Sequence, residues 1–150
     1  MNKPTLPGFL FSLLMLSTSA SATQYNVWYE SNGVRTGMTQ TPDEQPVMIS
    51  IAFPGHPQSN IMISYSANEK CTNSANTFSL PVDNTTFEVD YRCTLIDEKS
   101  SVQHFTITDA KAVAYLYGRL QAGFTVVLQR SIKVYVANFT YPKQGSSPDL

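Results

Sequence analysis

Residues 87–95 (FEVDYRCTL) alternate without a break. Phe87, Val89, Tyr91, Cys93 and Leu95 fall on one side, and Glu88, Asp90, Arg92 and Thr94 on the other. A period of two is that of a β-strand with one face buried and one face wet. A chain with such a strand at its centre must supply strand neighbours for its edges and an apolar cover for its inner face. Cys93 lies on the apolar row, and the other cysteine, Cys71, follows an earlier strand-like run.

The amino terminus sets the compartment. Lys3 is the one basic residue in 1–7, residues 9–16 (FLFSLLML) are apolar apart from Ser12, and residues 17–22 are small and polar, ending Ala20-Ser21-Ala22. That order is the layout of a secretory signal peptide over 1–22 with cleavage after Ala22. Its apolar run is far shorter than the roughly 20 residues a spanning helix needs. The expected destination is the periplasm or the extracellular space, with a bacterial envelope the first choice, and no membrane span is expected after leader removal. Two cysteines in an exported chain predict a disulfide, Cys71–Cys93, closing a loop of roughly 22 residues. No C-x-x-C is present to suggest a redox pair.

Residues 23–141 read as a single β-rich domain followed by a flexible tail over 142–150, which has little to bury. Lys3 belongs to the leader, so nine basic residues face eleven acidic ones beyond it. A near-neutral balance of this kind argues against a nucleic-acid partner, which would call for a basic patch.

Strand patterns recur along the chain. Residues 24–30 alternate and run into Asn32-Gly33, a type I′ hairpin signal, with 34–40 returning and Gly37 marking a weak point or a bulge. Residues 47–53 and 61–66 form a second hairpin around Pro54-Gly55-His56-Pro57, and 77–82 turns at Asp83-Asn84 into the central strand. Residues 103–108, 124–129 and 132–141 complete about nine short strands. Between them, 109–122 carries Ala110, Val113, Leu116 or Tyr117, and Leu120 at helical spacing, with Thr108 or Asp109 as N-cap and Gly123 as terminator. The competing pattern, alternation of Val113, Tyr115 and Tyr117, makes 113–117 a strand. In the helical reading, Ala114 and Gly118 allow close approach to a sheet. The fold class is therefore mainly β, an antiparallel sandwich or open barrel, with one helix at 109–122. An immunoglobulin domain is disfavoured, because Trp28 precedes both cysteines instead of lying between them.

Catalytic patterns are missing from the sequence. There is no G-x-S-x-G, Ser66 and Lys70 are four apart where S-x-x-K needs three, and H-E-x-x-H is absent. His56 lies in the Pro-Gly loop and His104 on the face opposite Phe105 and Ile107, both read as ordinary histidines. The carboxylates at Asp97-Glu98 and at Glu88 and Asp90 read as solvated charge. Met48 and Met62 are expected to face each other across the second hairpin, an arrangement that hints at a soft-metal pair, with packing the preferred role. Asn84-Thr85-Thr86 and Asn138-Phe139-Thr140 match the glycosylation sequon, which matters only in a eukaryotic secretory pathway. No catalytic residue, metal ligand or cofactor is assigned.

One surface feature suggests binding. With Ile132, Val134 and Val136 inward, the last strand turns Tyr135, Phe139 and Tyr141 outward beside Lys133. A row of aromatics rimmed by charge is typical of interaction surfaces. Small domains usually cover such rows, however, and the preferred reading is that a bulge near Ala137-Asn138 or the 109–122 helix covers these rings. These features together lead to the expectation of a non-catalytic exported module that binds another protein or a surface glycan in an accessory, adhesive or inhibitory role. The alternatives are a small exported hydrolase with a site assembled in space and a structural subunit of a surface polymer.

Overall fold

A computed structural model describes residues 24–72 and 75–150, so the leader at 1–22 lies outside the described residues. The elements in chain order are β1 (Trp28–Ser31), β2 (Val34–Gln40), β3 (Pro46–Ala52), β4 (Asn60–Ala67), β5 (Thr77–Val82), β6 (Thr85–Leu95), β7 (Ser101–Ile107), α1 (Ala110–Gln121), β8 (Val126–Leu128), β9 (Ile132–Val134) and β10 (Lys143–Gln144). The strands form one sheet in the order β10-β1-β2-β3-β4-β7-β6-β5-β8-β9. It curls into a half-barrel, so the open-barrel form of the expected mainly-β fold is the one adopted.

Local chemistry accounts for the hairpins. Asn32 and Gly33 both have positive φ, 52° and 75°, which is the type I′ turn that Asn-Gly predicts. Gly37 has a packing reason instead of a bulge. A Cβ there would lie 2.7 Å from the Trp28 ring, so only glycine lets the indole cross β2.

The inner face of the sheet is the core. Val47, Ile49 and Ile51 of β3, Ile61 and Ile63 of β4, Phe105 and Ile107 of β7, and Leu80 and Val82 of β5 are all buried. Helix α1 connects β7 to β8, which lie on opposite sides of β6 and β5, so it crosses the concave face. It covers the core with Ala112, Val113, Leu116 and Leu120. The Asp109 side chain caps it by accepting the Ala112 N–H at 2.9 Å, and Gly123 stops it at φ 86°. Tyr115 meets Phe87 at 5.6 Å between ring centroids, and Arg119 pairs with Asp83 at 3.3 Å. Ala114 and Gly118 do not approach the sheet. Both are exposed, and a Cβ on Gly118 would meet nothing within 4 Å. The larger apolar residues on the opposite arc provide more area to bury and so orient the helix.

One connection is topologically demanding. Strands β4 and β5 are consecutive in the chain but are separated in the sheet by β7 and β6. The link must cross three inter-strand spacings, roughly 14 Å at about 4.8 Å each. The disulfide Cys71–Cys93 fastens this crossover to β6, with the two Cα atoms 5.7 Å apart. The Tyr91 N–H donates to the Asn76 carbonyl at 2.8 Å, and Gln103 Nε2 donates to Glu69 at 3.2 Å.

The last strand is shorter than its pattern predicts. Strand β9 ends at Val134, and the chain then turns, with the Phe139 N–H donating to the Val136 carbonyl and the Tyr141 N–H to Asn138. This segment plugs the open side of the half-barrel. Asn138 stands in for a missing strand, its Oδ1 accepting the Trp28 N–H at 2.7 Å and its Nδ2 donating to the Trp28 carbonyl at 2.9 Å. The indole Nε1 donates to the Tyr135 carbonyl at 2.8 Å, and Thr39 Oγ1 donates to the Lys133 carbonyl at 2.6 Å. Residues 142–150, expected to be a flexible tail, contribute β10, which pairs in parallel with Tyr29 and Glu30 of β1.

Candidate binding cleft

The outer face of β4, β7 and β6 carries two adjacent cross-strand rows. Ser64, His104 and Arg92 form one, and Met62, Thr106 and Asp90 the other. Both rows point away from the core because their neighbours in sequence, Ile61, Ile63, Phe105, Ile107 and Tyr91, point into it. Strand β5 begins at Thr77 opposite Asp90, so β6 outruns it, and Cys71, Ala75 and Asn76 border the space beyond. The result is an open cleft of about 940 Å³ lined by these rows without Ser64, and by Thr94, Cys71, Ala75, Asn76 and the backbone strand Tyr91–Cys93.

His104 is the best-fixed polar group in the cleft. Its Nδ1 lies 2.7 Å from Ser64 Oγ, and Ser64 is only 3 % exposed. Nε2 is thereby left for the cleft. Burial, and then the neighbouring Arg92 guanidinium, hold the His104 imidazole below its ordinary value, so the ring is neutral at neutral pH. The Arg92 side chain makes no ion pair or hydrogen bond among the described residues.

A serine bonded to a histidine invites comparison with a hydrolytic dyad, and the geometry differs from one in two respects. The hydroxyl lies beneath the imidazole and is sealed from solvent, so it presents no attacking oxygen. The group beside the imidazole is a cation, whereas a hydrolytic histidine is oriented by a carboxylate that stabilises its protonated form. What the arrangement does is orient the ring and hold it as a neutral hydrogen-bonding group.

The sequence-selected surface is divided by the fold. Phe139 is 1 % exposed, not outward as its alternation implied, because the chain leaves the strand at Val134 and carries the ring into the core. It meets Trp28 edge-on at 4.8 Å and Tyr117 at 5.7 Å, with the Arg35 guanidinium 5.0 Å from its centroid. Lys133 and Tyr135 line a separate cleft of about 330 Å³ at the seam with Tyr25, Thr39 and Glu44. Tyr135 is 41 % exposed and Tyr141 87 %. The four residues do not share a face.

Other sequence readings find their places. Glu88 accepts a hydrogen bond from Ser79 Oγ. Asp97 accepts the N–H groups of Lys99 and Ser100 at 2.7 and 2.8 Å, and these bonds hold its carboxyl below the ordinary range. Met48 and Met62 share a face but are diagonal, since Met48 pairs with Ser64 and Met62 with Ser50. His56 lines a third groove, about 610 Å³, between the β3–β4 loop and α1, far from His104 in the topology. Among the described residues no group of three or more His, Cys, Asp or Glu side chains is arranged to hold a metal ion, and no helix is long and apolar enough to cross a membrane.

Sequence reasoning missed the Ser64–His104 pair. The two residues are 40 apart in the chain and meet because β7 returns to pair with β4. The outward parity of each was legible, but their register was not. No protein-family model, curated protein or solved structure matches this chain.

Proposed function

We propose that this protein is an exported, non-catalytic binding module that holds a partner, another protein or a surface glycan, in the cleft beside Cys71–Cys93. The leader pattern and the intramolecular disulfide support export. The observation that carries the binding reading is the cleft itself: outward polar side chains on a rigid sheet, with its one serine–histidine contact arranged to fix a ring rather than to activate a nucleophile. Lys133, Tyr135 and Tyr141 remain accessible for a second contact at the seam, and Phe139 serves the core.

The 2.7 Å Ser64–His104 contact is also what favours the rival reading, a small hydrolase. Disulfide-bonded chain 23–150 should be assayed against ester, glycoside and peptide substrates beside His104→Ala and Ser64→Ala, with near-ultraviolet circular dichroism confirming that each variant folds. The expected result is no turnover that depends on either residue. Turnover abolished in both folded variants would make the protein an enzyme.

A further inference from the structure

The geometry points to an acidic sugar as the occupant of the cleft, its carboxylate seated on Arg92 and its hydroxyls on Asp90, Asn76 and Thr106. This inference rests on the binding-module reading above. Arg92 is exposed on the outer face of β6, its position fixed by pairing opposite His104, and its guanidinium has no partner among the described residues. A planar guanidinium offers two parallel N–H donors at the spacing of a carboxylate's oxygens. It provides one positive charge, and Asp90 and Glu88 follow on the same face of the strand, so a polyanion would be repelled.

The rest of the lining suits hydroxyl groups. Asp90 accepts only, whereas Asn76 and Thr106 both donate and accept, and none of the three side chains has a partner among the described residues. Sugar hydroxyls, which donate and accept, match that mixture. A second acidic residue of a peptide would be opposed by Asp90. Met62, 40 % exposed, and the disulfide give the cleft an apolar wall for the C–H face of a sugar ring.

His104 reports occupancy. The groups facing its ring are Arg92 and, diagonally, Asp90 on β6, with Ser64 and Met62 on β4 and Thr106 beside it on β7. Any occupant adds to the burial that lowers the His104 pKa. A carboxylate placed on Arg92 also offsets the neighbouring cation, so an acidic sugar leaves that pKa higher than its neutral counterpart does.

The test is an NMR titration of disulfide-bonded chain 23–150 with three probes: a glucuronic-acid-containing disaccharide, its all-glucose counterpart, and a capped tripeptide with one glutamate. The acidic disaccharide is expected to shift the His104 and Thr106 resonances, to leave the His104 pKa higher than the neutral one does, and to bind about tenfold more tightly. Arg92→Gln should abolish that preference and Arg92→Lys should keep part of it, with the remaining spectrum unchanged. Equal binding of the two disaccharides, tighter binding of the peptide, or no shift in the cleft with any probe would overturn the inference and leave a binding module of other specificity. Cleavage of either disaccharide during the titration would instead overturn the non-catalytic reading on which it rests.

Discussion

At the seam, Asn138 satisfies both backbone groups of Trp28, the indole N–H finds the Tyr135 carbonyl, and Phe139 is swallowed between Trp28 and Tyr117. In the cleft, Arg92, Asp90 and Thr106 face solvent with no side-chain partner among the described residues. Both regions lie where the sheet lacks a strand. At the seam the half-barrel is open and β9 is only three residues long, while beside the cleft β5 stops short of the end of β6. The chain fills the first gap with its own aromatic ring and amide, and it spans the second with a loop held by a disulfide. Here the aromatic row beside the short edge strand serves closure, whereas the gap held by the disulfide leaves polar side chains without partners among the described residues.

The sharpest way to break this comparison is Phe139→Ala. Removing a fully buried aromatic should cost about 3–5 kcal/mol, read as a lower urea midpoint at unchanged slope. A loss below about 1 kcal/mol, the scale of a surface change, would mean that the seam is not closed by this ring. Replacing both cysteines by serine should cost about 3 kcal/mol, from the loop entropy restored to the unfolded chain. Amide exchange should then rise first in the crossover and in β6 beyond Asp90, while the seam keeps its protection. Exchange rising equally in both regions would show that the clip supports the whole sheet.

Smaller effects sharpen the contrast. Gly37→Ala sets a methyl 2.7 Å from the Trp28 ring and should cost about 1–3 kcal/mol, accompanied by a shift in tryptophan fluorescence. The smallest effect belongs to His104. Its imidazole is held below the ordinary value in the folded chain, so the unfolded chain binds the proton more readily. Stability is therefore full above the unfolded value of about 6.5 and falls as pH drops below it. His104→Gln should flatten that part of the stability profile. An unchanged slope would assign the pH dependence to another group.

Much of the fold was legible because it is local. Alternation located β3, β4, β5 and β6, Asn32-Gly33 announced its turn, and Asp109 and Gly123 bounded the helix, each acting on residues a few positions away. The staple was legible from compartment and cysteine count. Readings failed where distant packing overrode local pattern, at 132–141 and on the helix as at Gly37 and in the tail. The alternation of 132–141 is real in the sequence, but the open side of the half-barrel needed a plug more than the sheet needed a longer edge. The small residues Ala114 and Gly118 permit close packing, and the larger apolar arc of α1 took the core instead.

Along β3, β4, β5, β7 and most of β6 the alternation in the chain set which side chains face inward, and local chemistry set the Asn32-Gly33 turn and the two sulfurs that join, because backbone conformation and side-chain parity are decided within a few residues. Only the tertiary structure decided the strand order. It alone brings Ser64 beneath His104, sets Arg92 across from it and draws Phe139 into the core. Those pairings depend on which strands become neighbours, and that is settled by the most complete burial of apolar surface across the whole chain, a quantity no single segment carries.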